Sequence, residues 1–293
     1  MATILELVGN TPLVELKKLN PNPNVTIYGK LEGNNPGGSV KDRAAYGMIK
    51  GALDRGEIRE GTTLIEATSG NTGIALAMIA GLFNVPIELV MPADATRERV
   101  LTMEAFGAKV VLTPKEQSME GAIDYANAQL VKGGYHMLNQ FGNPDNPLMH
   151  YNTTGPEIWR DTQHRITHFV SSMGTTGTIM GVSQYLKEQD VDIQIVGCQP
   201  TEGSRIPGIR KWPEAYLPTI FNRSRVDRTM EIDEADARAM TKKLAREEAI
   251  FSGMSSGGAA HAAIELAKEL NSGVIVFIVC DRGDRYLSSD LFD

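Results

Sequence analysis

The chain has 293 residues, 42% of them hydrophobic and 22% charged, with a formal net charge of −7. That composition suits a globular chain long enough for two domains sharing a cleft, and a negative balance with no Lys/Arg block argues against a nucleic-acid partner. The longest apolar runs, "VIVFIVC" (274–280) and "IALAMIA" (74–80), are too short to span a bilayer, and "MATILELVGNTPL" lacks the basic region of a secretory signal, so the expected compartment is the cytoplasm.

In chain order, the first marked feature is "NNPGGSVKDRAA" (34–45). Asn, Pro and Gly make a turn, and Ser39 reads as the N-cap of a helix continuing through "AAYGMIKGALDRG". Lys41 then falls in the first helical turn, where the positive end of the helix dipole disfavours a cation. Strand-length apolar runs next alternate with amphipathic stretches. "TTLIEAT" (62–68) precedes "GIALAMIAGLF" (73–83), and "PIELVMP" (86–92) precedes "TRERVLTMEAFG" (96–107). "AKVVLTP" (108–114) precedes "SMEGAIDYANAQLVKGG" (118–134). The stretch "NQFGNPDNP" (139–147) reads as an inter-domain crossing. Beyond it, "ITHFVSS" (166–172) precedes "GTIMGVSQYLKEQ" (177–189), while "DIQIVGCQP" (192–200) and "GVIVFIVC" (273–280) are further core strands. The alternation predicts an α/β fold of mostly parallel sheets with helices on both faces. The segment 201–225, with three prolines and several basic and aromatic residues, is an irregular loop long enough to be functional. Cys198 and Cys280 form no CxxC pair and read as reduced, mostly buried thiols.

In open α/β sheets ligands bind beyond the carboxyl ends of the strands. Three Gly/Ser/Thr-rich strand-to-helix turns lie there: "ATSGNTG" (67–73), "SSMGTTGT" (171–178) and "FSGMSSGG" (251–258). Any one of them could be a plain capped turn; three together point to an anionic ligand held by N–H groups at helix starts. "GTTGT" is not the dinucleotide fingerprint GxGxxG, and Gly33 with Gly38 is a failed phosphate-loop pair because Ser39-Val40 follows. Gly253-Met254-Ser255-Ser256-Gly257 matches a hydrolase nucleophile elbow, yet only His261 follows Ser255, so the order of a catalytic triad fails. His136, His150, His164 and His168 have no metal-ligand spacing, so no metal is expected. A lysine close to phosphate-binding loops suits a Schiff base with pyridoxal phosphate, its pKa lowered by the helix start. The residues alone leave Lys41 equally open to a solvated surface role.

"GNTPLV", "NNPGGSVKDRAA", "ATSGNTGIALA", "MGTTGT" and "GMSSGGA" together resemble the fold-type II pyridoxal-phosphate enzymes, nearest to the cysteine synthases (O-acetylserine sulfhydrylases). The motifs span the chain nearly end to end. "IPGIRKWP" (206–213) and "VCDRGDRYLS" (279–288) look more like the B isozyme than the A form. The resemblance implies two α/β domains, a smaller one at 36–146 and a larger one built from 1–35 and 147–293, and a homodimer. It implies pyridoxal 5'-phosphate bound covalently to Lys41, with Asn71 on the ring hydroxyl and Gly174, Thr175, Thr176, Gly177 and Thr178 on the phosphate. Ser255 would face the pyridine nitrogen, a neutral partner that keeps the electron sink weak and favours β-elimination over transamination. Thr68, Ser69, Asn71 and Thr72 would clamp the substrate carboxylate. The implied reaction replaces the acetate of O-acetyl-L-serine by sulfide through an α-aminoacrylate, with ping-pong kinetics. Arg210 and Lys211 would offer charge to a thiosulfate dianion, although Lys211 stands where the B-type pattern has arginine. Cys280 and Asp281 would line the pocket, or simply pack. Cystathionine β-synthase and serine/threonine dehydratases use nearly the same machinery; the absence of room for a regulatory domain weakens the first.

Overall fold

The computed structural model describes residues 1–293. Ten strands form two sheets. The four-stranded sheet, ordered β5-β4-β3-β6, contains β3 (Thr63–Ala67), β4 (Ile87–Pro92), β5 (Lys109–Thr113) and β6 (Tyr135–His136), all parallel. The six-stranded sheet is ordered β1-β2-β10-β7-β8-β9, from β1 (Leu13–Glu15), β2 (Val25–Leu31), β7 (His168–Ser172), β8 (Gln194–Pro200), β9 (Arg228–Ile232) and β10 (Gly273–Val279). Only its β1–β2 pair is antiparallel. Of the N-terminal strands β2 therefore pairs with the last strand of the chain and carries β1 on its other edge, while the smaller sheet is made wholly of residues between β2 and β10.

Period-two alternation explains the layers. On the small sheet, Leu64, Ile87, Leu89 and Met91 join one core with α1 (Lys41–Asp54), α2 (Asn71–Leu82) and Met103 of α3 (Arg97–Ala105). Ile65 and Val90 point the other way, onto Ala122 and Ala126 of α4 (Ser118–Lys132). On the large sheet, Val170, Val196, Ile275 and Phe277 pack on α8 (Glu234–Glu248) and α9 (Met254–Glu269). Phe169, Ile195, Val276 and Ile278 face α6 (Thr154–Asp161) and α7 (Gly177–Gln189). Every residue of α2 from Thr72 to Ala80 is buried, which suits a helix with no polar face.

The predicted strands and helices form with ends shifted by at most two residues, and α2 starts two residues early, at Asn71. The 139–147 stretch turns at Asn139, whose φ is 53°, and then enters α5 (Asp145–Asn152). Within 201–225 two 3-10 turns form, at Glu214–Tyr216 and Arg223–Arg225. No helix is long and apolar enough to cross a membrane.

Candidate active site

Lys41 is the first residue of α1, but the cap residue is Val40 rather than Ser39. Ser39 serves from one position further back: its Oγ accepts from the Lys41 N–H at 3.2 Å. Ser39 also bridges Asp281, and the Val40 N–H donates to the Cys280 carbonyl at 2.8 Å. The lysine turn is thus stitched to the chain leaving β10. Burial lowers the pKa of the Lys41 amine, with the nearby Cys280 and Asp281 opposing that shift. The sequence reading expected the same direction from the helix dipole; desolvation of the amine acts in that direction as well.

Neither neighbour of Lys41 faces solvent. Asp42 accepts from the Gly37 N–H at 2.5 Å, and burial pushes its pKa up to about 7. Arg43, fully buried, lies between Glu32 at 2.7 Å and Glu157 at 2.7 Å, and Lys30 reaches Glu157 at 2.8 Å. Thr11 and Asn35 complete the coordination of Glu32, at 2.7 Å and 2.9 Å. This network pins the start of α1 to β2 and α6, so the reactive turn stands on a rigid support. Nothing in the local sequence pattern signalled it, because its charges are scattered along the chain.

The turn between β7 and α7 has the chemistry of a phosphate cradle. Thr176 caps α7 with φ at 72°, a left-handed conformation that is costly for a non-glycine residue. Its Oγ1 is buried and has no hydrogen-bond partner. An orphaned hydroxyl beside the free N–H groups of a helix start is what a phosphate ester would satisfy. The glycines are dictated by space: a Cβ on Gly174 would lie 2.8 Å from the Gly208 carbonyl, and one on Gly177 would collide with the Asn146 side chain. Thr175 Oγ1 lies 3.4 Å from Asn146 Nδ2. Thr178 Oγ1 lies 3.3 Å from Nε2 of His150, which burial holds neutral with a pKa of about 3.

Across the cleft, β3 runs through the buried Thr68 and Ser69-Gly70 into α2, leaving the first N–H groups of that helix open to an anion. Thr72 Oγ1 donates to Gln140 Oε1 at 2.9 Å. Gln140 is a site residue the sequence reading missed, since its stretch was read only as a crossing. Glu66 fixes that segment by accepting backbone N–H bonds from Leu138, Asn139 and Gln140, while burial raises its pKa to about 7. Asn71 Nδ2 donates to Asp281 Oδ2 at 2.7 Å, and Arg285 donates to Asn71 Oδ1. The amide is therefore held in one orientation with one N–H left over.

Ser255 lies in the first turn of α9, 4% exposed, with its hydroxyl against the Cys280 thiol. Burial, followed by the Asp281 carboxylate, pushes that thiol up to about 11. No histidine hydrogen-bonds Ser255, and His261 instead faces Asp236 at 3.9 Å. Asp281 is no open lining residue: it accepts from Asn71, from the Gly253 N–H at 3.1 Å and from the Tyr286 hydroxyl at 2.6 Å. The 201–225 loop docks directly on the cradle, through Arg210 N–H to the Met173 carbonyl and Trp212 Nε1 to the Gly174 carbonyl, both 2.8 Å. The exposed Arg210 guanidinium sits 5.3 Å from the Trp212 ring, beside a cavity of about 900 Å³ under the loop. Lys211 lines the same cavity but is paired with Glu231 at 2.7 Å.

A half-buried lysine at a helix start, an orphaned threonine hydroxyl at a second and a neutral serine at a third fit pyridoxal phosphate. The chain belongs to the pyridoxal-phosphate dependent enzymes, whose family model matches residues 4–281. Within that class, it is similar to cysteine synthase B of Pseudomonas aeruginosa, 57% identical over 291 residues, 99% of this chain and 97% of the relative. The Escherichia coli cysteine synthase B is 56% identical over 292 residues, covering 100% of this chain and 96% of the relative. Among solved structures, the cysteine synthase of Entamoeba histolytica superposes with a TM-score of 0.95 at 38% identity, covering 100% of this chain and 90% of that one. The O-acetylserine dependent cystathionine β-synthase of Helicobacter pylori gives 0.90 at 35% identity, covering 100% and 99%.

Proposed function

We propose that the chain is a cysteine synthase that replaces the acetoxy group of O-acetyl-L-serine, released as acetate, with sulfide, and that it takes thiosulfate as a second donor. The observation that carries this reading is the Lys41 helix start tied to Cys280 and Asp281, together with the orphaned Thr176 hydroxyl at the start of α7. Pyridoxal phosphate, when bound, supplies a carbonyl that condenses with the substrate amine and a ring that acidifies its α-carbon. The chain's own residues do the rest. Thr176 Oγ1 and the α7 N–H groups hold the phosphate, Asn71 offers its spare N–H to the ring hydroxyl, and Ser255 offers a neutral hydroxyl to the ring nitrogen. The start of α2, with Thr68, Ser69 and Thr72, binds the substrate carboxylate. Lys41 Nζ, its pKa lowered by desolvation, takes the proton from the substrate α-carbon and later returns it.

Arg210 supports the thiosulfate part, since its free cation is carried by the loop that docks on the cradle. Lys211 does not, because Glu231 already neutralises it. The family resemblance further supports closure of a 36–146 domain on the remainder, a homodimer and a cytoplasmic location. The test is the visible spectrum of the purified protein. A cofactor band that shifts on adding O-acetyl-L-serine and returns on adding sulfide supports the reading, and a sulfide-insensitive shift overturns it. Homocysteine in place of sulfide separates it from cystathionine synthesis.

A further inference from the structure

A separate cavity of about 250 Å³ lies where α3, the 201–225 loop, the start of α8 and the C-terminal tail meet. Four arginines line it, Arg99, Arg205, Arg238 and Arg285, against the carboxylates of Glu234 and Asp290. Arg238 takes up both carboxylates, at 3.8 Å and 3.3 Å. Arg99, Arg205 and Arg285 make no salt bridge, so a surplus of positive charge collects here in a chain whose net charge is −7.

Two polar atoms at this cavity are buried without a partner, Thr96 Oγ1 and Arg99 Nε. Thr96 is the cap residue of α3, yet its hydroxyl caps no N–H. Unsatisfied donors of this kind cost stability when buried, and a multivalent anion would satisfy them together. The volume exceeds several times the roughly 30 Å³ share of one water molecule, enough for a tetrahedral oxyanion and its solvent. The arginines also lead away from the cavity to the active site. Arg99 Nη1 donates to the Ser69 carbonyl at 3.4 Å, and Arg285 donates to Asn71 Oδ1 and the Gly37 carbonyl.

We propose that this cavity is a second anion site, for a doubly charged oxyanion of the sulfate class, and that its occupancy is felt at the substrate loop through Arg99 and Arg285. An anion in the cavity competes for the same guanidinium N–H groups that hold Ser69 and Asn71. Binding there therefore loosens the carboxylate clamp.

The experiment compares holoenzyme melting in sodium sulfate and in sodium chloride at matched ionic strength. The expected result is a saturable rise in Tm with sulfate, about 2 °C at a tenfold excess over Kd. Lys41→Ala and Arg210→Ala retain the rise, and Arg205→Gln with Arg238→Gln abolishes it. Should the double variant fail to fold, Arg205→Gln alone keeps the test valid: its exposed side chain makes no ion pair, and it weakens the sulfate response by itself. The apparent Kd for O-acetyl-L-serine, read from the spectral shift, rises about fivefold or more under saturating sulfate in the wild type only. No saturable rise, or an equal rise in the arginine variants, overturns the proposal. Because melting requires no turnover, that failure would leave the cysteine synthase reading standing.

Discussion

Replacing Arg43 by methionine removes the cation between two buried carboxylates while keeping most of the side-chain volume. Glu32 would be left with Thr11 and Asn35, and Glu157 with Lys30 and the Asn10 N–H. Breaking a buried ion network from one side costs about 3–5 kcal/mol, because an uncompensated charge remains. At roughly 2.1 cal/mol/K of unfolding entropy per residue, the 293-residue chain converts that cost into a Tm lower by about 5–8 °C. The pH dependence makes the prediction specific. Burial alone would raise the pKa of Glu32 and Glu157, yet Arg43 overcomes it and holds both below the usual range, Glu157 at about 2. Their stabilisation is thus present above the unfolded pKa of about 4.3 and is lost as pH falls through the folded value. In Arg43→Met burial prevails at Glu32, its pKa rises, and stability is lost as pH rises toward 7. Calorimetry at pH 7 and pH 4.5 should show the gap between variant and wild type narrowing at the lower pH. A variant that melts within about 1 °C of wild type at pH 7, or a gap equal at both values, would refute the reasoning.

Thr176→Val removes the orphaned hydroxyl without relieving the left-handed backbone, so equilibrium dialysis should show cofactor affinity about tenfold weaker, from one lost charge-assisted hydrogen bond. Arg210→Ala should lower the efficiency ratio of thiosulfate to sulfide, whereas Lys211→Ala, already neutralised by Glu231, should leave it unchanged. An unchanged ratio in Arg210→Ala removes thiosulfate recognition from this loop. Burial keeps His150 unprotonated in the folded state down to about pH 3, while the unfolded chain takes a proton below about 6.5. Stability is consequently lost as pH falls across that window, by up to about 1.4 kcal/mol per pH unit, and His150→Gln should flatten that limb in acid-titration melts.

The alternation of apolar runs and the turn chemistry placed six of the ten strands and six of the nine α-helices around three turns suited to an anion, because each period reports a face buried against the next layer. α8 and β9 were not anticipated: α8 is largely charged outside Ala237, Met240, Thr241 and Leu244, and β9 is exposed along most of its length. Gln140 and Glu66 also escaped the sequence reading, since their importance comes from what the chain folds against them.

By itself the sequence determined the layered α/β class, the helix starts that can hold anions and the lysine at the first of them, all of which follow from local periodicity and turn chemistry. Only the tertiary structure decided the environment of those groups. It desolvated the lysine amine, which lowers its pKa, and made Asp281 a buried acceptor of three hydrogen bonds. It also paired Lys211 with Glu231 and set Arg43 between carboxylates more than a hundred positions apart. Desolvation and ion pairing depend on what surrounds a group in space, and spacing along the chain carries no record of that.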